Sequence, residues 1–122
     1  MNILLIEDDK MTMKSVKFAL NQKGHKVHLA SNEQNAYNKL KENTDIECII
    51  SDINLPGSPV ITEMVANLKA MSNNIPIVLI SSVLDNPLID DSLLIGAEAF
   101  IPKPINFELL LSVVERLNHH EV

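Results

Sequence analysis

The sequence predicts an α/β fold, a doubly wound parallel sheet with helices on both faces. Three observations carry this. Strand-like and helix-like segments alternate five times along 122 residues, a pattern that calls for parallel strands and right-handed crossovers. The strand segments are near-continuous apolar runs, such as Ile3-Leu4-Leu5-Ile6 and Ile77-Val78-Leu79-Ile80, which is how a strand buried on both faces reads. The segments between them carry apolar residues at helical spacing and stop at Gly24, at Asn73-Asn74 and at Gly96.

In order, Asn2–Ile6 reads as the first strand and runs into Glu7-Asp8-Asp9. From about Lys10 to Lys23, Met13, Val16, Ala19 and Leu20 recur at helical spacing. Val27, Leu29 and Ala30 mark a short second strand, and Ser31 or Asn32 can cap a largely polar helix carrying Ala36, Tyr37 and Leu40. The third strand, Ile46 to Ile50, leads into Ser51-Asp52, and Pro56-Gly57 signals a turn soon after. Ile61, Met64, Val65 and Leu68 give i, i+3, i+4, i+7 and define a third helix to about Met71. The fourth strand runs from Ile75 to Ile80 and ends in Ser81-Ser82. A helix follows Asn86-Pro87. Ala99-Phe100-Ile101 is a fifth strand followed by Pro102-Lys103-Pro104, and Asn106 caps a last helix to about Asn118.

This length suits one domain, residues 1–122, large enough to bury a core without staples. A net charge of −6 argues against gripping nucleic acid through its phosphates and against an anionic membrane surface. No apolar run approaches the roughly 20 residues of a membrane helix, and the short Ile3–Ile6 run, without a charged flank or cleavage site, does not read as a signal peptide. The single Cys48 reads as a small buried hydrophobe and fits a reducing, cytoplasmic setting. His25, His28, His119 and His120 read as surface histidines.

The chemistry collects at one rim. Parallel strands share a carboxyl edge, where open α/β sheets bind ligands. Glu7, Asp8 and Asp9 follow the first strand, Asp52 ends the third, Ser81 ends the fourth, and Lys103 follows the fifth. In the flavodoxin-like order 2-1-3-4-5, the first and third strands are neighbours about 4.8 Å apart. Asp8 and Asp52 are then forced together, with Glu7 close by. Clustered carboxylates suit a hard divalent ion such as Mg²⁺, and a lysine and a hydroxyl across from them suit a phosphoryl group. That is a set for forming an aspartyl phosphate.

The segments Leu4-Leu5-Ile6-Glu7-Asp8-Asp9, Ile50-Ser51-Asp52-Ile53-Asn54-Leu55-Pro56-Gly57, Pro76 to Ser82, and Gly96 to Pro104 together resemble the receiver domain of two-component response regulators. The resemblance spans the whole chain. It implies Asp52 as phosphoacceptor, with a sensor histidine kinase, a histidine phosphotransfer protein or a small phosphodonor as source. It implies Mg²⁺ as cofactor, held by Asp8 and Asp52, by the backbone carbonyl of Asn54 and by Glu7 through water. Ser81 matches the family's switch hydroxyl, Lys103 its phosphoryl-contacting lysine and Phe100 its aromatic switch. The Lys103-Pro104 bond is expected to be cis. Asp9, one position past the acidic pair, receives no metal role.

The chain also departs from the family. Gly57-Ser58-Pro59-Val60 replaces the usual acid and glycine ahead of the third helix. Val83 stands where a polar side chain would orient the hydrolytic water, so slow autodephosphorylation is expected. The last two helices carry more apolar residues than the sheet needs. In the final one, Phe107, Leu110, Leu111, Val114 and Leu117 form the sheet-facing stripe, while Leu109 and Val113 fall outside it. Leu88, Ile89, Leu93, Leu94 and Ile95 surround the helix before it. Such surplus suggests a face for a homodimer or output partner. On this reading the domain is no enzyme beyond its own phosphorylation and dephosphorylation. The alternatives are a receiver-like scaffold that works without phosphorylation, or a small aspartyl-phosphate phosphohydrolase. The latter would want an acid where Asn54 stands.

Overall fold

The computed structural model describes residues 1–53, 61–81 and 96–118. Within them lie β1 (Asn2–Ile6), α1 (Lys10–Gln22), β2 (Lys26–Ala30), α2 (Glu33–Glu42), β3 (Cys48–Asp52), α3 (Ile61–Ser72), β4 (Ile77–Ser81), β5 (Ala99–Pro102) and α4 (Phe107–Asn118). All strand pairs are parallel and the order is β2-β1-β3-β4-β5, the expected topology. The helix expected between Ser82 and Gly96 lies outside the described residues.

Alternation along each strand divides the core in two. Leu4, Ile6, Ile49, Ile77 and Leu79 face one side with Ala36, Leu40, Met64, Val65 and Leu68 from α2 and α3. Ile3, Leu5, Ile50, Val78, Ile80 and Ile101 face the other with Val16, Leu20, Leu110, Val113 and Val114 from α1 and α4. Both faces of β3 and β4 are covered, which is why their sequences lack polar alternation. Cys48 belongs to this interior, and burial pushes its thiol up to about 12.

The caps follow the local chemistry. The Asp9 side chain accepts from the backbone N–H of Thr12 at 3.0 Å, and Asn32 accepts from Asn35 at 2.8 Å. Asn106 accepts from Leu109 at 3.1 Å. After α3 the chain turns through Asn73 and Asn74 at φ 60° and 65°, a region asparagine tolerates.

Two expectations are corrected here. In α4 the stripe is rotated: Val113 is buried, whereas Phe107 is 37% exposed. Phe107 is the first residue of the helix, turned toward α1 instead of the sheet. His25 is buried, not on the surface, with Nδ1 3.1 Å from the Met1 amino group and Nε2 3.6 Å from Glu115 Oε1. Burial, then the nearby amino group, holds its pKa below the ordinary histidine value. His28 is half-buried, while His119 and His120 lie outside the described residues.

A second polar clamp ties α3 to the start of β5. Lys69 Nζ donates to Glu98 Oε1 at 2.6 Å and to the Ile75 carbonyl at 3.0 Å, and Glu98 Oε2 accepts from Ile77 N at 2.6 Å. Gly96 sits against this lysine at φ +128°, and a Cβ there would lie 3.1 Å from Lys69 Cε. Because Lys69 is largely buried, Lys69→Met strands a carboxylate and a carbonyl. It is expected to cost about 2 kcal/mol, read as a lower midpoint in urea denaturation.

Candidate functional site

Strand register builds the rim. Ile6 pairs with Ser51 and Asp52 pairs with Ile80, so Glu7 and Asp52 emerge side by side at the carboxyl ends of β1 and β3. Glu7 N donates to Ala30 O at 3.0 Å and Ile53 N to Ile80 O at 3.1 Å, which fixes the backbone on both sides. Ser81 pairs with Pro102, and Lys103 N donates back to Ser81 O at 2.8 Å. That bond sets the root of the lysine at the same edge, and the Lys103-Pro104 bond is cis as expected.

From there the Lys103 side chain reaches across the sheet. Its Nζ lies 3.1 Å from Asp52 Oδ2 and 3.2 Å from Glu7 Oε1. The two acids it joins are almost wholly enclosed, at 0% exposure for Glu7 and 4% for Asp52. Asp8 is exposed, yet one ligand oxygen from each of Glu7, Asp8 and Asp52 lies within 4.8 Å of the others. Asp9 faces away as the cap of α1, and its hydrogen bonds from Thr12 hold its carboxyl below the usual range.

The charges are unevenly balanced. Burial, then the hydrogen bond and charge of neighbouring Asp52, push Glu7 up to about 7, and Lys103 only partly opposes this. Partial burial works against the Lys103 ammonium, but Asp52 and Glu7 outweigh it and hold its pKa above the ordinary value. Among the described residues, Lys103 pairs with two of the three acids, Glu7 and Asp52. Glu7 Oε2 is buried with no hydrogen-bond partner among the described residues. A buried carboxylate oxygen without a donor, beside two more carboxylates, is a donor set that fits a hard divalent cation.

The other expected residues stand as follows. Ser81 is fully buried at the tip of β4. Phe100 lies in β5 opposite Leu79, half-buried against the α2–α3 side of the core. Asn54 and Val83 fall outside the described residues. The sequence reading did not single out Ser51, whose hydroxyl donates to the Asp52 carbonyl at 2.9 Å beneath the rim. A serine one residue before the acid in an otherwise apolar strand was the available signal.

The chain is 33% identical to a cyclic di-GMP phosphodiesterase of Thermotoga maritima, over 90% of this chain and 29% of that protein. It is 32% identical to the transcriptional regulatory protein CusR of Escherichia coli, over 96% of this chain and 51% of that protein. The transcriptional regulatory protein FixJ of Bradyrhizobium diazoefficiens is 29% identical over 93% and 55%. The chain thus spans about half, or less, of these relatives. Among solved structures, a two-component response regulator from Clostridium difficile superposes with a TM-score of 0.90 at 25% identity, covering 98% of this chain and 96% of that one. The chemotaxis response regulator CheY4 of Vibrio cholerae shares the fold at a TM-score of 0.83 and 24% identity, covering 95% and 97%. The family description "Response regulator receiver domain" matches residues 3–115. Acids and lysine at one edge of a 2-1-3-4-5 sheet thus sit within a match that runs nearly end to end, and the chain belongs to the receiver domain family of two-component response regulators.

Proposed function

We propose that residues 1–122 act as one phosphorylation-driven receiver, with Asp52 as the phosphoacceptor. An Asp52 carboxylate oxygen attacks the phosphorus of a phosphohistidine on a sensor histidine kinase or histidine phosphotransfer protein, or of a small donor such as acetyl phosphate. A P–O bond to Asp52 forms as the P–N or P–O bond to the donor breaks, and the electron pair leaves with imidazole or acetate. Lys103, already 3.1 Å from Asp52, turns its ammonium onto a phosphoryl oxygen. The Ser81 hydroxyl donates to another. Asp8, Asp52, the Asn54 carbonyl and, through water, Glu7 would hold Mg²⁺, which supplies charge neutralisation for the phosphoryl oxygens.

One observation carries the reading: three carboxylate oxygens from two strand ends lie within 4.8 Å of one another, and a lysine from a third strand end pairs with two of those acids. A phosphoryl group adds about −1.5 to −2 charge at Asp52. Ser81 and Phe100 would follow it and shift a two-state equilibrium on the side of the last two helices, where an output partner or a second copy binds. Leu109, 40% exposed on α4, belongs to that face.

The test is incubation with acetyl phosphate, followed by intact-mass measurement. A phosphoryl adduct is expected with Mg²⁺ present. Chelation by EDTA is expected to slow its formation by roughly a hundredfold or more. Equal adduct in both samples would contradict the metal role.

A further inference from the structure

The sheet ends in β5 on one side and in β2 on the other. β2 pairs with β1 through consecutive residues from Lys26 to Ala30, with no bulge. Lys26 N donates to Met1 O at 3.1 Å, and Ala30 O accepts from Glu7 N at 3.0 Å. Lys26, His28 and Ala30 therefore turn their backbone groups to β1, and alternation turns those of Val27 and Leu29 outward. Among the described residues, no strand lies beyond them. The strand carries no proline, and Lys26 is its only formal charge, so it lacks most of the devices that keep strand edges from pairing.

Beside this edge α1 and α2 leave an open groove of about 380 Å³, lined by Leu29 and by a polar row on α2, Asn35, Asn38, Lys39 and Glu42. Edge and row are both self-complementary. A two-fold axis through His28 sets Val27 opposite Leu29 of a second copy, and the two exchange both of their N–H···O bonds. Lys26 then falls opposite Ala30 of the second copy, so the lysines do not face each other. Reversed end for end, the row on α2 sets Glu42 against Asn35 and Lys39 against Asn38, so each charge meets an amide able to bond it. With about 4.8 Å between the two strands, the helices that cover them come into packing range, about 8–10 Å. An extended segment of another protein would satisfy Val27 and Leu29 but leave the α2 row without a counterpart.

We infer that β2 is the seam of a two-fold dimer, pairing antiparallel with β2 of a second copy so that two sheets become one. The contact uses no phosphoryl group and lies at the edge opposite β5. It is therefore measured on unphosphorylated protein and stands or falls apart from the reading of Asp52.

Sedimentation equilibrium and amide hydrogen exchange test it on one preparation. A concentration-dependent dimer is expected. Between a dilute sample and one about a hundredfold more concentrated, exchange of the Val27 and Leu29 amides should slow at least about tenfold. Asn38→Lys, which faces Lys39 of the second copy, should weaken the dimer about tenfold, because the repulsion occurs on both sides of the axis. Asn38→Glu at the same place should tighten it about threefold. Asn38 is exposed, so neither substitution disturbs the core. A monomer at every concentration, a dimer without slowing at Val27 and Leu29, or equal effects of the two substitutions overturns the proposal. So does a dimer that Leu109→Ser abolishes, since the seam then lies on α4.

Discussion

Asp52→Asn is expected to abolish the phosphoryl adduct formed with acetyl phosphate and Mg²⁺. The substitution keeps the shape of the side chain and removes the anionic oxygen that attacks phosphorus. Folding should survive it. Asp52 is 4% exposed and bonded to Lys103, and an amide oxygen still accepts from that ammonium. The loss of one negative charge also relieves Glu7, whose proton affinity is raised in part by Asp52. Asp52→Asn should therefore unfold at the same or higher denaturant concentration than the parent while losing the adduct entirely. Intact mass and a urea titration on one preparation check both halves. Retention of the adduct would move the acceptor to another residue.

Lys103→Ala is expected to act in the opposite sense on stability. Lys103 Nζ is the cation shared by Glu7 and Asp52, at 3.2 and 3.1 Å, and both acids are enclosed. Removing it leaves two carboxyl groups facing each other without compensation, a cost of about 2–3 kcal/mol after allowing for the partial exposure of the lysine. Magnesium should restore part of that loss, because a divalent ion on the same carboxylates replaces the missing positive charge. The rate of adduct formation should fall by roughly a hundredfold, since a preorganised cation no longer meets the phosphoryl oxygens. Urea denaturation with and without Mg²⁺ checks the first part. A variant as stable as the parent in metal-free buffer would show that the lysine does not balance the acids.

Much of this was legible because the sheet is covered on both faces. Runs such as Ile3–Ile6 and Ile77–Ile80 admit no alternation, and each run ends in a polar residue where the strand leaves the core. Asp52, Ser81 and Lys103 were found by their positions after such runs, and a fixed parallel register then brought them to one edge. What escaped the sequence depends on how elements dock. Glu7 and Asp8 are neighbours in sequence, yet one is buried and the other exposed, because only Glu7 continues the strand into the space beside Asp52. Phe107 and Val113 exchanged their expected places because the phase of a helix is set by the surface it packs on, not by the count of its apolar residues. His25 is enclosed by Met1 and Glu115, far from it in sequence, and no local pattern announces that. Met11 and Phe18, at 78% and 66% exposure, lie outside the α1 stripe of Val16 and Leu20 that gives the helix its apolar period.

The most direct measurement is to locate the phosphoryl group itself. An acyl phosphate on aspartate is reduced by borohydride to homoserine, and fragmentation of the digested protein then reads the position. Homoserine at residue 52, formed only after treatment with donor and Mg²⁺, is the expected result. Homoserine at residue 8, or phosphate retained on a serine hydroxyl with residue 52 unchanged, would contradict the assignment of Asp52.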